Sequence, residues 1–145
     1  MNESTYAVRR APLRPLAVCA GLVGLAGLLS LGACSGSEPT MADLPAGVAS
    51  ARPSISAEEA DFVLAAEKLG ADVTGDSVND DIETGTTTCW ALKNGGVDLA
   101  QIAVDDSGKP LPDTGDALRT KQLMAAGVQT FCPDYDDQVS QLKLP

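Results

Sequence analysis

SAEEADFVLAAEKLG, residues 56–70, is the stretch whose reading decides the fold. Ser56 followed three positions later by Glu59 is a capping box. The serine side chain accepts from the Glu59 backbone N–H while the glutamate reaches back to the Ser56 N–H. Phe62, Val63, Ala66 and Leu69 then recur at helical spacing, so one stripe of this helix belongs to a core. Gly70 stands where a left-handed backbone closes a helix at little steric cost.

Downstream, a second helix is expected from Asp76 or Ser77, with acidic residues at 80, 81 and 83 in the turns where the helix dipole favours them. Val78, Ile82, Gly85, Cys89 and Leu92 fall on one face. A glycine costs about 1 kcal/mol relative to alanine inside a helix, so Gly85 on the apolar stripe predicts close approach of a neighbouring helix. Gly95-Gly96 ends that helix, and Asp98 caps a short third one with Leu99, Ile102 and Ala103 facing inward. Residues 105 to 115, with two prolines and two glycines, read as an exposed connection. The last helix runs from about Asp116 to Phe131 on a stripe of Leu118, Met124, Ala125, Val128 and Phe131, and Pro133 stops it. The expected fold is all-α, a small bundle of three to four helices over residues 56–137. A tail over 138–145 is expected to fray unless Val139 and Leu142 dock.

Upstream, Arg9, Arg10 and Arg14 precede an uncharged run from Leu16 to Gly32, the layout of an export signal. Leu31-Gly32-Ala33-Cys34 resembles a bacterial lipobox. That resemblance implies a signal peptide over residues 1–33, and attachment of diacylglycerol to Cys34 as the first residue of the mature protein. Stable anchoring needs at least two acyl chains, which a diacylglyceryl cysteine supplies. The alternative is an uncleaved N-terminal anchor, although the run is shorter than the roughly 20 apolar residues of a span. Either reading places residues beyond Ser35 outside the cytoplasm. The arginine pair raises the twin-arginine route, against which Pro12 stands where a large apolar residue is preferred. Residues 35–55, with Pro39, Pro45 and Pro53 and no sustained periodicity, read as a flexible tether spanning about 25 Å.

From Cys34 onward the chain carries 19 acidic against seven basic side chains in 112 residues, enough for one domain. Such a balance disfavours nucleic acid and anionic lipid surfaces as partners and points to neutral or cationic ones, unless it serves solubility alone. The four cysteines sort by position: Cys19 lies in the discarded run, Cys34 takes lipid, and Cys89 and Cys132 remain as a disulfide pair in an oxidising compartment. The chain has no histidine and no further soft ligand for a cysteine metal site.

Asp61-Phe62, Leu69-Gly70, Ile82, Gly85, Cys89, Leu92, Gly95 and the ending Phe131-Cys132-Pro133-Asp134-Tyr135 together resemble the small secreted helical domain known as domain of unknown function 732. That family is common in mycobacteria and their actinobacterial relatives, and the resemblance covers residues 57 to 135. It implies a helical fold and a bond between the two cysteines, with no catalytic residues to carry over. Thr86 to Trp90 and the loop after Asp105 depart from the family's alanine-rich pattern.

Asp72, Asp76, Asp80 and Glu83 occupy positions 1, 5, 9 and 12 of a twelve-residue window, the spacing of a calcium loop. Ser77 stands where that loop needs glycine, so a capped first helical turn is the competing reading. Adjacent carboxylates such as Asp80-Asp81, Asp105-Asp106 and Asp136-Asp137 admit a two-acid hydrolase, but no nucleophile elbow or phosphate-cradling loop accompanies them. Trp90 is expected to cover the disulfide or the core edge, with an anchor for a ligand or partner as the alternative. No cofactor is expected. The reading that follows is a lipid-anchored module at the extracytoplasmic face of the cell membrane, binding an envelope protein or a small ligand. A carboxylate hydrolase and a purely structural accessory lipoprotein are the alternatives.

Overall fold

Local signals start each long helix, and packing decides which face it buries. The computed structural model describes residues 39–145; the expected export signal over 1–33 and the lipid-bearing Cys34 lie outside the described residues. In chain order the described residues form α1 (Val48–Ala51), α2 (Ala57–Lys68), α3 (Val78–Asn94), α4 (Leu99–Ile102), α5 (Gly115–Phe131) and a 3₁₀ segment over Pro133–Leu142. Among them there is no strand, only an isolated antiparallel bridge between Val104 and Pro110. None of their helices is long and apolar enough to cross a membrane. The all-α bundle closed by one disulfide is therefore the observed architecture.

The capping box of α2 forms as its residues dictate: the Ser56 hydroxyl accepts from the Glu59 N–H at 3.2 Å, and the Glu59 carboxylate accepts from the Ser56 N–H at 2.9 Å. Burial works to raise the Glu59 carboxyl, yet hydrogen bonds from Arg52 and Ser56 outweigh it and hold the group below the ordinary glutamate value. At the other end Gly70 takes φ +92°, and the Ala71 N–H folds back onto the Ala66 carbonyl at 2.9 Å, which satisfies a last-turn acceptor.

α5 is the central element. Lys121 to Val128 are all buried, because the helix is enclosed by α2 and α3 on one side and by the 3₁₀ segment on another. Leu123 and Ala126 join Phe62, Val63, Val73, Val78 and Ile82 in one buried cluster. Met124, Ala125 and Val128 join Leu92, Leu99, Cys132 and Leu142 in a second. The close approach expected at Gly85 is present, and its partner is Gly127 of α5. A Cβ on Gly127 would lie 2.5 Å from the Gly85 Cα. Phe62 and Phe131 stack beside this crossing with ring centroids 5.3 Å apart. The Cys89–Cys132 disulfide then ties the middle of α3 to the end of α5, with Cα atoms 5.8 Å apart. A third tie is ionic: Arg119 donates to both carboxylate oxygens of buried Asp81, at 2.9 and 2.7 Å, and to the Asp72 carbonyl at 2.8 Å.

Two expectations about the ends need correction. The tether expected to reach residue 55 is shorter, because Leu44, Val48 and Ile55 supply an apolar edge that packs on the first cluster, with Val48 fully buried. Arg52 also pairs with Glu59 and donates to the Asn79 side chain at 2.7 Å, holding this segment to α2 and α3. The tail expected to fray is docked: Leu142 is buried, Val139 and Tyr135 pack on the second cluster, and the Gln138 side chain accepts from the Leu99 N–H at 2.8 Å.

Candidate functional site

The outward face of α3 repeats Asp80, Thr84, Thr87 and Ala91 at steps of four, three and four residues, which places them on one helical wall. Opposite stand Thr120 and Met124 of α5, with Ile102 of α4. Between them lies an open groove of about 570 Å3, and Glu83 shares its acidic end with Asp80.

Threonine chemistry sets the polarity of this groove. The Thr84 hydroxyl donates to the Asp80 carbonyl at 2.9 Å, Thr88 to the Thr84 carbonyl at 2.8 Å and Thr120 to the Asp116 carbonyl at 2.9 Å. A hydroxyl has one proton to give. Once that proton is committed to the helix backbone, only lone pairs and the methyl group face outward. The groove therefore offers mainly acceptors and carboxylates over an apolar floor of Ala91, Ile102 and Met124, the Thr87 hydroxyl keeping its proton free to donate. Within the run Thr86-Thr87-Thr88, unfavourable for helix propensity alone, the Thr86 hydroxyl donates to the Ile82 carbonyl at 2.9 Å and Thr88 to Thr84, while Thr87 faces the groove.

Trp90 departs from its expected place. Its indole is 65 % exposed instead of being buried over the core, while Phe62 and Phe131 pack beside Gly85. Three residues beyond Thr87 it stands next to the groove on the helix surface. Its other side borders a shallow depression shared with Thr86, Cys89 of the disulfide, Lys93 and Phe131, where the Lys93 ammonium donates to the Phe131 carbonyl at 3.1 Å.

The calcium ligand set does not assemble. Among the described residues no three His, Cys, Asp or Glu side chains come together to hold a metal ion. Because α3 begins at Val78, Asp80 and Glu83 ride on its helical wall instead of closing a loop, and Asp76 is exposed on the preceding turn. The Asp72 carbonyl is engaged by Arg119, whose guanidinium is held above its usual pKa chiefly by its hydrogen bond to Asp81. The facing carboxylates a hydrolase requires are not found in the groove either: Asp80 and Glu83 stand side by side on α3, opposite threonine and methionine.

A second, more enclosed pocket of about 430 Å3 lies across α4, and the sequence reading did not identify it. Lys121 of α5 lines it with a side chain only 6 % exposed, paired with Asp113, which is 58 % exposed. The detectable signal was positional, since Lys121 lies three residues after Leu118 and four before Ala125 on the apolar stripe. The connection over 105–115 that flanks this pocket is pinned at its stem, where the Leu111 N–H donates to the Ala103 carbonyl at 3.0 Å. The Asp105 carboxylate accepts from the Ser107 side chain and the Lys109 N–H, bonds that hold it below the ordinary aspartate value.

Fold and site together define a disulfide-closed helical domain with a solvent-open, acceptor-lined groove. Compared with models of protein families, with curated proteins and with solved structures, the chain matches none.

Proposed function

We propose that this protein is a lipid-anchored extracytoplasmic binding module whose α3 groove takes a cationic ligand with several hydrogen-bond donors and an aliphatic body. The observation that carries this reading is the commitment of the Thr84, Thr88 and Thr120 protons to their own helices, which leaves acceptors beside Asp80 and Glu83. The exposed indole of Trp90 adds an aromatic face to the same side, and aromatic faces attract cations. The acidic surplus from Cys34 onward favours the same partners. The lipobox-like residues before Cys34 support the envelope location.

Trp90 is the sole tryptophan, so its fluorescence reports on this face directly. Titration with n-octylammonium is expected to give saturable quenching or a spectral shift, and the neutral analogue 1-octanol to bind more weakly. Replacing Asp80 by Asn together with Glu83 by Gln should weaken the ammonium by about tenfold. Equal binding of the two octyl compounds, or a double variant with unchanged affinity, would remove the basis for a cationic ligand. For the anchor, Cys34→Ala is expected to shift the protein out of the membrane fraction into the soluble fraction, read by immunoblot after fractionation. Intact mass of the wild-type membrane form is expected to show residues 1–33 removed and Cys34 lipidated; an intact amino terminus in the wild type would instead establish the uncleaved anchor.

A further inference from the structure

We infer that the pocket across α4 is a separate binding site for a small aliphatic carboxylate, with Asp113 acting as its resident competitor. The argument begins with an inversion of burial. In the Arg119–Asp81 pair the carboxylate is the buried partner, 4 % exposed against 33 % for the guanidinium, as suits a structural tie. In the Lys121–Asp113 pair the cation is buried and the carboxylate is mostly in solvent. A buried ammonium needs compensation for lost hydration. Lys121 draws it from one carboxylate on a loop, although an ammonium has three N–H donors and this one makes only that hydrogen bond among the described residues. Its two remaining donors have no partner among the described residues, and Lys121 is a residue of the pocket wall.

The pocket mouth concentrates positive charge in an otherwise acidic chain. Lys143 lines it with a backbone φ of +51°, the only non-glycine residue with positive φ among the described residues. This left-handed residue caps the 3₁₀ segment, its N–H donating to the Ser140 carbonyl at 3.4 Å directly after buried Leu142. Gln141 adds an amide at the same mouth. The remaining walls are aliphatic, from Ala103, Leu111 and Leu142. One buried cation, a second at the rim and aliphatic walls in about 430 Å3 match a short-chain monocarboxylate: its head would meet Lys121 in place of Asp113, and its chain would lie on the aliphatic walls.

The test is titration of the purified protein with hexanoate, followed by calorimetry and by backbone amide shifts. Saturable binding is expected, with shifts at Leu111 and Leu142 and little change in Trp90 fluorescence, so that failure here is separable from failure of the cationic groove. Asp113→Asn removes the competitor and should bind hexanoate about fivefold more tightly. Lys121→Met, similar in length and apolar, should abolish binding; should it fail to fold by circular dichroism, Lys143→Met must weaken binding in a folded protein. The inference is overturned if 1-hexanol or inorganic phosphate binds as well as hexanoate, or if Asp113→Asn leaves affinity unchanged or lowers it. It is equally overturned if the shifts map to the α3 groove.

Discussion

Gly127→Ala is expected to destabilise the domain by about 3 kcal/mol, a large share of the 5–15 kcal/mol available to a small protein. The sign is opposite to intrinsic preference, since alanine in place of glycine favours a helix interior by about 1 kcal/mol. Its cause is a contact between two main chains. The added Cβ would lie 2.5 Å from the Gly85 Cα and 2.6 Å from the Gly85 carbonyl oxygen, and no side chain can rotate away to make room. α3 and α5 would have to separate, disturbing the Phe62–Phe131 stack beside them. Gly85→Ala should act in the same direction with smaller effect, because its Cβ would meet the Phe62 ring, 2.5 Å from Cε2, and a ring can shift partway. Urea denaturation of both variants measures this; a Gly127→Ala protein as stable as wild type would show that the helices do not cross at these glycines.

Removal of the disulfide should have an effect of similar or greater size. Cys89 and Cys132 are 43 positions apart, and closing a loop of that length in the unfolded chain stabilises the native state by about 4 kcal/mol in the chain-entropy account. For a domain of this size each kcal/mol shifts the melting temperature by about 4–8 °C. The Cys89→Ala, Cys132→Ala double variant is therefore expected to melt roughly 20 °C lower than the oxidised protein. Treating the wild type with reductant should reproduce most of that loss and leave the double variant unaffected. A melting curve insensitive to reductant would mean that the bond is not closed in the folded protein. The consequence reaches the groove, because the bond tethers α3 in the turn after Thr88 to the end of α5.

Features governed by neighbours within a turn or two were legible before any fold was known. The Ser56–Glu59 box, the Gly70 stop, the buried stripe Val78, Ile82, Gly85, Cys89 and Leu92, and the span of α5 all follow from spacing and propensity. The candidate site was less legible. Trp90, Asp80 and Glu83 were singled out individually, but their relation to Thr84, Thr87 and Thr120 required α5 to lie against α3. The burial of Lys121 was not legible, because it depends on a loop eight residues upstream and a C-terminal segment some twenty downstream.

The sequence by itself determined that the described chain is helical, where its long helices begin and end, and that two cysteines were placed to be joined. Only the tertiary structure decided that Leu44 to Ile55 docks instead of floating, that the tail packs through Leu142, that Trp90 faces water and that the four acidic residues of the calcium spacing do not converge on one point. The division has one physical cause. Capping, helical periodicity and glycine conformation act through bonds and contacts a few residues apart. Burial, ion pairing and pocket shape depend on which distant surfaces meet, and α5 settles that by offering buried residues on all its faces to the segments packed around it.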